Sequence, residues 1–354
     1  MSRYLKPQYQ GLEAYVPGEQ PRDMQYIKLN TNESPFPPAP SVQAIMDGEE
    51  VALLRLYSDP TCRVLKDKLA SLYGLQPENV YLSNGSDDIL NFAFMAFGHN
   101  GVVFPDISYG FYQVFGDLHG INYRKIPLQE DFSVDYRDYC GVNQLVVIAN
   151  PNAPTGMQIP VDEIEKIVKS NPNSVVLIDE AYVDFGGDSC YRLIERYDNL
   201  LVVRTFSKSR CLAGARLGYA FGSKALIDDL EKLKYSTNPY NVNRMTLRVG
   251  EATVDAQDYY LKKCQEIAEV RDATKKQLRD IGFSVLESKA NFLFAMYPGV
   301  EGVWLYEQLK RRGILVRHFQ KPRIHPYIRI TIGTRQEMET FVETLKEIIW
   351  EEGK

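Results

Sequence analysis

Four short runs of uninterrupted apolar residues, at 102–104, 145–148, 175–178 and 200–203, constrain this chain more than any other feature. A strand with one wet face alternates polar and apolar residues, whereas a strand apolar at every position is covered on both faces. Helical patterns lie between most of the runs, for example at 161–168 and 193–196. Apolar strands alternating with helices give a mostly parallel sheet covered by helices, an α/β fold. A shorter run, Val80-Tyr81-Leu82, precedes the series, between an amphipathic pattern ending at Gly74 and an apolar helix at 89–97.

The flanks read differently. Residues 1–45, with Pro7, Pro17, Pro21, Pro35, Pro37, Pro38 and Pro40, are expected to form an extended N-terminal arm. Residues 46–245 form the expected large domain. Residues 246–354 form a small α+β C-terminal domain, with strands at 283–286, 292–296, 314–316 and 328–332 and helices at 303–309 and 338–350. The boundary falls inside one long helical pattern spanning 244–281.

Composition narrows the function. With 354 residues, 44% hydrophobic and 25% charged, the chain can bury a large core in about two domains. A net charge of −5 without a basic run argues against nucleic acid or an anionic membrane as partner. No apolar run reaches membrane-spanning length, and the first residues lack the apolar segment of a signal peptide. Five scattered cysteines without a Cys-x-x-Cys pair fit a reduced, cytoplasmic protein. The four histidines, at 99, 119, 318 and 325, have no metal-ligand spacing, so no metal is expected.

Ligands of open α/β sheets bind beyond the carboxyl ends of the strands, and the polar residues of this chain gather there. Lys208 follows the run at 200–203 in a loop of small residues with Thr205 and Ser207, and Arg216 comes eight positions later. That set suits a phosphorylated aldehyde: the amine condenses with the aldehyde, and the hydroxyls and guanidinium hold the phosphate. Asn84-Gly85-Ser86-Asp87 precedes a helix, so Ser86 or Asp87 is either an ordinary cap or part of an anion site. Asp179 ends an apolar strand, where an unpaired carboxylate is costly. It therefore expects a cation, which a protonated pyridine nitrogen, an arginine or a helix N-terminus could each supply. Tyr109, at another strand end, either stacks on a ring or packs.

Taken in order, these segments resemble the class II aminotransferases of fold type I, which depend on pyridoxal phosphate. The resemblance covers almost the whole chain: Tyr15-Val16-Pro17-Gly18, Asn30-Thr31-Asn32-Glu33-Ser34-Pro35, Tyr57, Asn84-Gly85-Ser86-Asp87, Ser108-Tyr109-Gly110, the turn from Asn150 to Gly156, Asp179-Glu180-Ala181-Tyr182, the stretch from Thr205 to Arg216, Asn291-Phe292, and the segment from Ile328 to Arg335. It implies that Lys208 carries the cofactor, that Asp179 keeps the pyridine nitrogen protonated, and that Tyr182 contacts the ring oxygen while Tyr109 stacks on the ring. Ser86, the backbone at Asp87, Thr205, Ser207 and Arg216 would hold the cofactor phosphate. Tyr57 would reach the phosphate in the other subunit of a homodimer. Arg329 would take the substrate carboxylate, with Arg317, Tyr15 and Asn32 positioning the substrate phosphate and amine. The arm and the carboxyl-terminal segments further imply histidinol phosphate as amine donor and 2-oxoglutarate as acceptor.

The chain departs from the family pattern in two places. Ala153 stands where an asparagine often contacts the ring oxygen, so either Asn152 takes that contact, the role assigned to it here, or Tyr182 serves alone. Ser209-Arg210-Cys211 replaces a more usual Ala-Phe-Gly, and the sequence alone gives Arg210 no role. The alternatives carried forward are a threonine-phosphate decarboxylase, an aromatic amino acid aminotransferase and a non-enzymatic regulator built on the same fold.

Overall fold

The computed structural model describes residues 5–6, 9–13, 15–45 and 48–351. Pro7 of the arm and the expected start of the large domain at residue 46 lie outside the described residues. The arm contributes β1 (Ile27–Lys28). Seven strands then build the main sheet: β2 (Val80–Ser83), β3 (Val102–Pro105), β4 (Tyr123–Ile126), β5 (Leu145–Ala149), β6 (Val176–Asp179), β7 (Leu200–Thr205) and β8 (Gly218–Gly222). Their order is β2-β8-β7-β6-β5-β3-β4, and β8 alone runs antiparallel to its neighbours. Every residue of β2, β3, β5, β6, β7 and β8 is buried, as continuous apolar runs require.

Helices cover the sheet by burying one stripe each. Helix Val161–Ser170 buries Ile164, Ile167 and Val168, and carries Asp162 and Glu163 in its first turn and Lys169 in its last, matching the helix dipole. A second sheet, ordered β12-β13-β10-β9, comes from β9 (Ser284–Val285), β10 (Phe292–Met296), β12 (Arg317–His318) and β13 (Ile328–Thr331). It packs with helices Gly302–Arg311 and Arg335–Glu351 around its own apolar core. β11 (Ile314–Leu315) pairs in parallel with β1, fastening the arm to this second unit rather than to the main sheet.

Four sequence expectations are corrected. The run from 244 to 281 is two helices, Arg244–Asp255 and Gln257–Asp280, broken at Ala256. Buried Arg210 donates to Gln257 Oε1 at that break. Two strands of the main sheet escaped the apolar pattern. β4 is an edge strand exposing Arg124 and Lys125, charges that blunt an open edge, and β8 is bounded by glycines. The helix at 193–196 is a 3-10 turn, Tyr191–Glu195. Finally, neither Ser86 nor Asp87 caps helix Ser86–Phe97. Gly85 occupies the N-cap at φ 85°, and no side chain caps the free N–H groups.

A buried ion cluster fixes the carboxyl edge of the sheet. Arg204 of β7 donates to Glu180 at 3.1 Å, reaches Asp184 at 3.4 Å and donates to Tyr73 Oη at 2.7 Å. Both Arg204 and Glu180 are buried. Removing one partner strands the other charge away from water, which costs about 3–5 kcal/mol, whereas an exposed pair is worth about 1 kcal/mol or less. Glu180→Ala should therefore lower unfolding stability in a urea titration by about 3–5 kcal/mol. Arg63→Ala, which removes the exposed pair with Asp67, should change it by less than about 1 kcal/mol.

Candidate active site

Lys208 lies just past the end of β7 and lines two adjoining cavities of about 330 and 600 Å³. Its amine donates to the Thr31 carbonyl at 3.3 Å and stands 5.8 Å from the centre of the Tyr182 ring. Burial, then the nearby Arg329 guanidinium, pushes the amine down to about 8. Asp179, the last residue of β6, lines the smaller cavity and is buried. Its Oδ2 accepts from Tyr112 Oη at 2.8 Å and its Oδ1 from the Ala181 N–H at 3.2 Å. Burial pushes its carboxyl up to about 6, and the nearest charges, Asp87 and Glu180, push the same way. No cation among the described residues pairs with it. The cation that the sequence demands is thus left to a ligand.

The smaller cavity also carries groups suited to an anion. The uncapped N-terminus of helix Ser86–Phe97 points its N–H groups there. Ser86, Thr205, Ser207 and Arg216 line the cavity. Close approach depends on glycine: a Cβ at Gly85 would stand 2.7 Å from Arg216 Nη2, and one at Gly218 would stand 2.4 Å from the Gly85 and Ser86 backbone. In this structure Arg216 rests on Asp87 at 3.2 Å, and Asp87 also accepts from Tyr109 Oη at 2.8 Å. Burial raises the Tyr109 phenol above its ordinary range. An uncompensated carboxylate, an anion cradle and the Lys208 amine, all lining one cavity, fit pyridoxal phosphate.

The remaining expected residues divide. Asn32, at φ 55°, donates to Tyr182 Oη at 3.0 Å and accepts from Thr331 Oγ1 at 2.9 Å, so it orients the tyrosine. Tyr15 lines the larger cavity and packs on Phe111 with ring centres 4.3 Å apart. Arg317 and Arg329 stand opposite each other on β12 and β13 and line the same cavity. Arg317 donates to the Val16 and Pro17 carbonyls, and Arg329 to that of Asn30, while the buried Arg329 Nε has no partner among the described residues.

Asn152 is not brought to the Lys208 cavities. Its amide donates to the Ile107 carbonyl and Thr155, and accepts from Ser108, all within 3.0 Å. Tyr57 is 80% exposed and stacks on Tyr240, with ring centres 4.5 Å apart, away from this site. Arg210, without a role in the sequence, sits 5.6 Å from the Tyr260 ring centre, behind the lysine loop. Sequence reading missed Tyr112, which holds Asp179. It stands in the first turn of helix Phe111–His119, where no feature of the sequence pattern marks it.

The chain belongs to the class I and II aminotransferases, whose family model matches residues 24–345. Among its relatives is a histidinol-phosphate aminotransferase of Brachyspira hyodysenteriae, 46% identical over 352 residues and aligned over 99% of each chain. Another, from a Marinomonas species, is 48% identical over 351 residues, covering 98% of this chain and 99% of that one. The structure of histidinol-phosphate aminotransferase from Sinorhizobium meliloti, in complex with pyridoxal 5'-phosphate, matches with a TM-score of 0.88 at 25% identity over 99% of each chain.

The lowered amine has a measurable consequence. Only the neutral amine attacks an aldehyde, so its fraction falls tenfold per pH unit below the pKa and levels off above it. Capture of pyridoxal phosphate by the cofactor-free protein, followed by stopped-flow absorbance, should rise with pH and level off above about 8. A rate still climbing past pH 10 would mean an ordinary, solvated lysine.

Proposed function

We propose that this enzyme transfers the amino group of histidinol phosphate to 2-oxoglutarate, using pyridoxal phosphate carried on Lys208. The products are imidazole acetol phosphate and glutamate, which places the reaction in histidine biosynthesis. The observation that carries the reading is Asp179, a buried carboxylate held by Tyr112 and Ala181 with no cation beside it, in the cavity that also holds Lys208. Histidinol phosphate is the substrate in the names of full-length relatives. The same names favour transamination over decarboxylation of threonine phosphate and over aromatic amino acids. The intact set of Lys208, Asp179 and Arg216 favours an enzyme over a regulator.

The cofactor, when bound, supplies an aldehyde that accepts the amino group and a cationic ring that takes up charge from the reacting carbon. The chain supplies the rest. Asp179, fixed by Tyr112, holds the proton on the ring nitrogen. Tyr182, oriented by Asn32, contacts the ring oxygen, a role Asn152 is not placed to share. Tyr109 packs against the ring, and Ser86, the Asp87 N–H, Thr205, Ser207 and Arg216 hold the phosphate. Lys208 Nζ, freed when the incoming amine displaces it, would be the base for the proton on the substrate carbon that bears the amine. Arg329 faces the carboxylate of the acceptor, and Arg317 with Tyr15 faces the phosphate of the donor. The chain divides into an arm, a large domain to about residue 245 and a small domain beyond. It works as a cytoplasmic homodimer in which Tyr57 reaches the neighbouring site. The exposed Tyr57, Val51, Leu54 and Leu56 support such an interface.

Asp179→Asn should keep cofactor binding, seen by visible absorbance, yet lose turnover by about a thousandfold or more, because an amide does not hold the ring proton. The substrate reading is tested by following each half-reaction in single turnover. Wild type should prefer histidinol phosphate to histidinol and to phenylalanine. Arg317→Ala should weaken histidinol phosphate by about one to two decades more than histidinol, and Arg329→Ala should also impair the 2-oxoglutarate half-reaction. A wild type that favours phenylalanine would replace the substrate; equal slowing of both donors by Arg317→Ala would remove its phosphate role.

A further inference from the structure

We infer that Lys321 is a second cationic contact, beside Arg317, for the phosphate of the amine donor, and that it sets the preference for phosphorylated over unphosphorylated amines. The inference rests on the reading of the donor as a phosphate ester given above.

Lys321 lines the ≈600 Å³ cavity together with Lys208, Arg317 and Arg329. It stands on a fixed turn. Its carbonyl accepts the N–H groups of Ile324 and His325 at 3.0 and 2.9 Å. Arg323, two residues on, donates to the Leu128 carbonyl at 2.7 Å and to that of Gln129, with its guanidinium 4.9 Å from the Phe132 ring centre. Buried Ile324 then packs with Phe132 and Phe294. A cation presented by an anchored turn loses less freedom on binding than one on a loose loop.

The three cations of this wall are not equally engaged. Arg317 and Arg329 each donate to carbonyls of the arm, so part of their capacity ties the arm down. The Lys321 amine has no hydrogen bond or ion pair among the described residues. Burial disfavours its charge first, Lys125 adds to the effect, and Asp106 offsets it from a distance. Exposed at the cavity wall and without a partner among the described residues, this ammonium is open to an anion that arrives. The cavity as a whole is cationic: Lys208, Arg216, Arg317, Lys321 and Arg329 stand against the carboxylate of Asp87. One guanidinium satisfies a carboxylate through its two parallel N–H groups. A phosphate dianion offers a further oxygen and a second charge, which a point-charge ammonium suits.

The test uses borohydride-reduced holoenzyme, in which binding is measured by calorimetry without turnover, and native holoenzyme for the half-reactions. In wild type the reduced enzyme should bind histidinol phosphate more tightly than histidinol. In Lys321→Gln the ratio of the two affinities should fall about 10- to 100-fold, and Lys321→Arg should restore most of it. In native enzyme, Lys321→Gln should slow the histidinol phosphate half-reaction at least about tenfold more than the 2-oxoglutarate half-reaction. If wild type discriminates but the Gln variant keeps the same ratio, Lys321 is not the contact and the proposed function stands. Equal loss in both half-reactions would make Lys321 an acceptor contact and overturn the inference. A wild type that does not distinguish the two donors would overturn the inference and the proposed substrate together.

Discussion

A carboxylate buried at the end of an apolar strand, with no cation beside it, is the constraint on which this structure depends. Asp179 costs free energy where it stands, and Tyr112 and the Ala181 N–H recover only part of it. A protein keeps such a group when a ligand completes it. The same economy appears at Lys208, whose charge is disfavoured by burial, and at Arg329, whose buried Nε lacks an acceptor. Each is an incomplete interaction on a residue lining one of two cavities that share Lys208, and together they describe the ligands these cavities take.

Holding these groups apart at the right distances falls to a second set of charges that never meets a ligand. Glu180 follows Asp179, and Ser209 follows Lys208. Arg204 draws Glu180 and Asp184 together, while Asp184 accepts from Ser209 Oγ at 2.5 Å. The carboxylate and the amine are therefore positioned through their chain neighbours by one buried cluster. A buried cluster of this kind is a poor source of stability compared with apolar packing, and its value lies in the geometry it fixes.

Much of this was legible in the sequence, for identifiable reasons. The continuous apolar runs announced β3, β5, β6 and β7, because burial on both faces leaves no other composition. β4 and β8 were hidden: one is a charged edge, the other is mostly small residues. The positions of Lys208 and Asp179 at strand ends followed from the same pattern. Their mutual distances did not, because these depend on Tyr112, Glu180 and Arg204, which pattern alone does not mark. Asn152 shows the limit most clearly. Its place beside Ala153 made it the natural substitute for a missing amide, yet its side chain is consumed by Ile107, Thr155 and Ser108 in holding its own turn. Arg210 shows the reverse: a cation unexplained in sequence finds Gln257 and Tyr260 once two helices are broken at Ala256.

The arm carries a consequence for motion. β1 pairs with β11, the Thr331 N–H donates to the Leu29 carbonyl at 2.9 Å, and Asn291 donates to the Asn32 carbonyl at 3.2 Å. Thr31 and Asn32 therefore travel with the four-stranded sheet, although they touch Lys208 and Tyr182 of the main sheet. The two sheets are geared to each other through this strap. The carbonyl that holds the lysine amine and the neighbouring carbonyl that accepts from Arg329 therefore belong to one hydrogen-bonded strap, which links the lysine of the large unit to the cation of the small one.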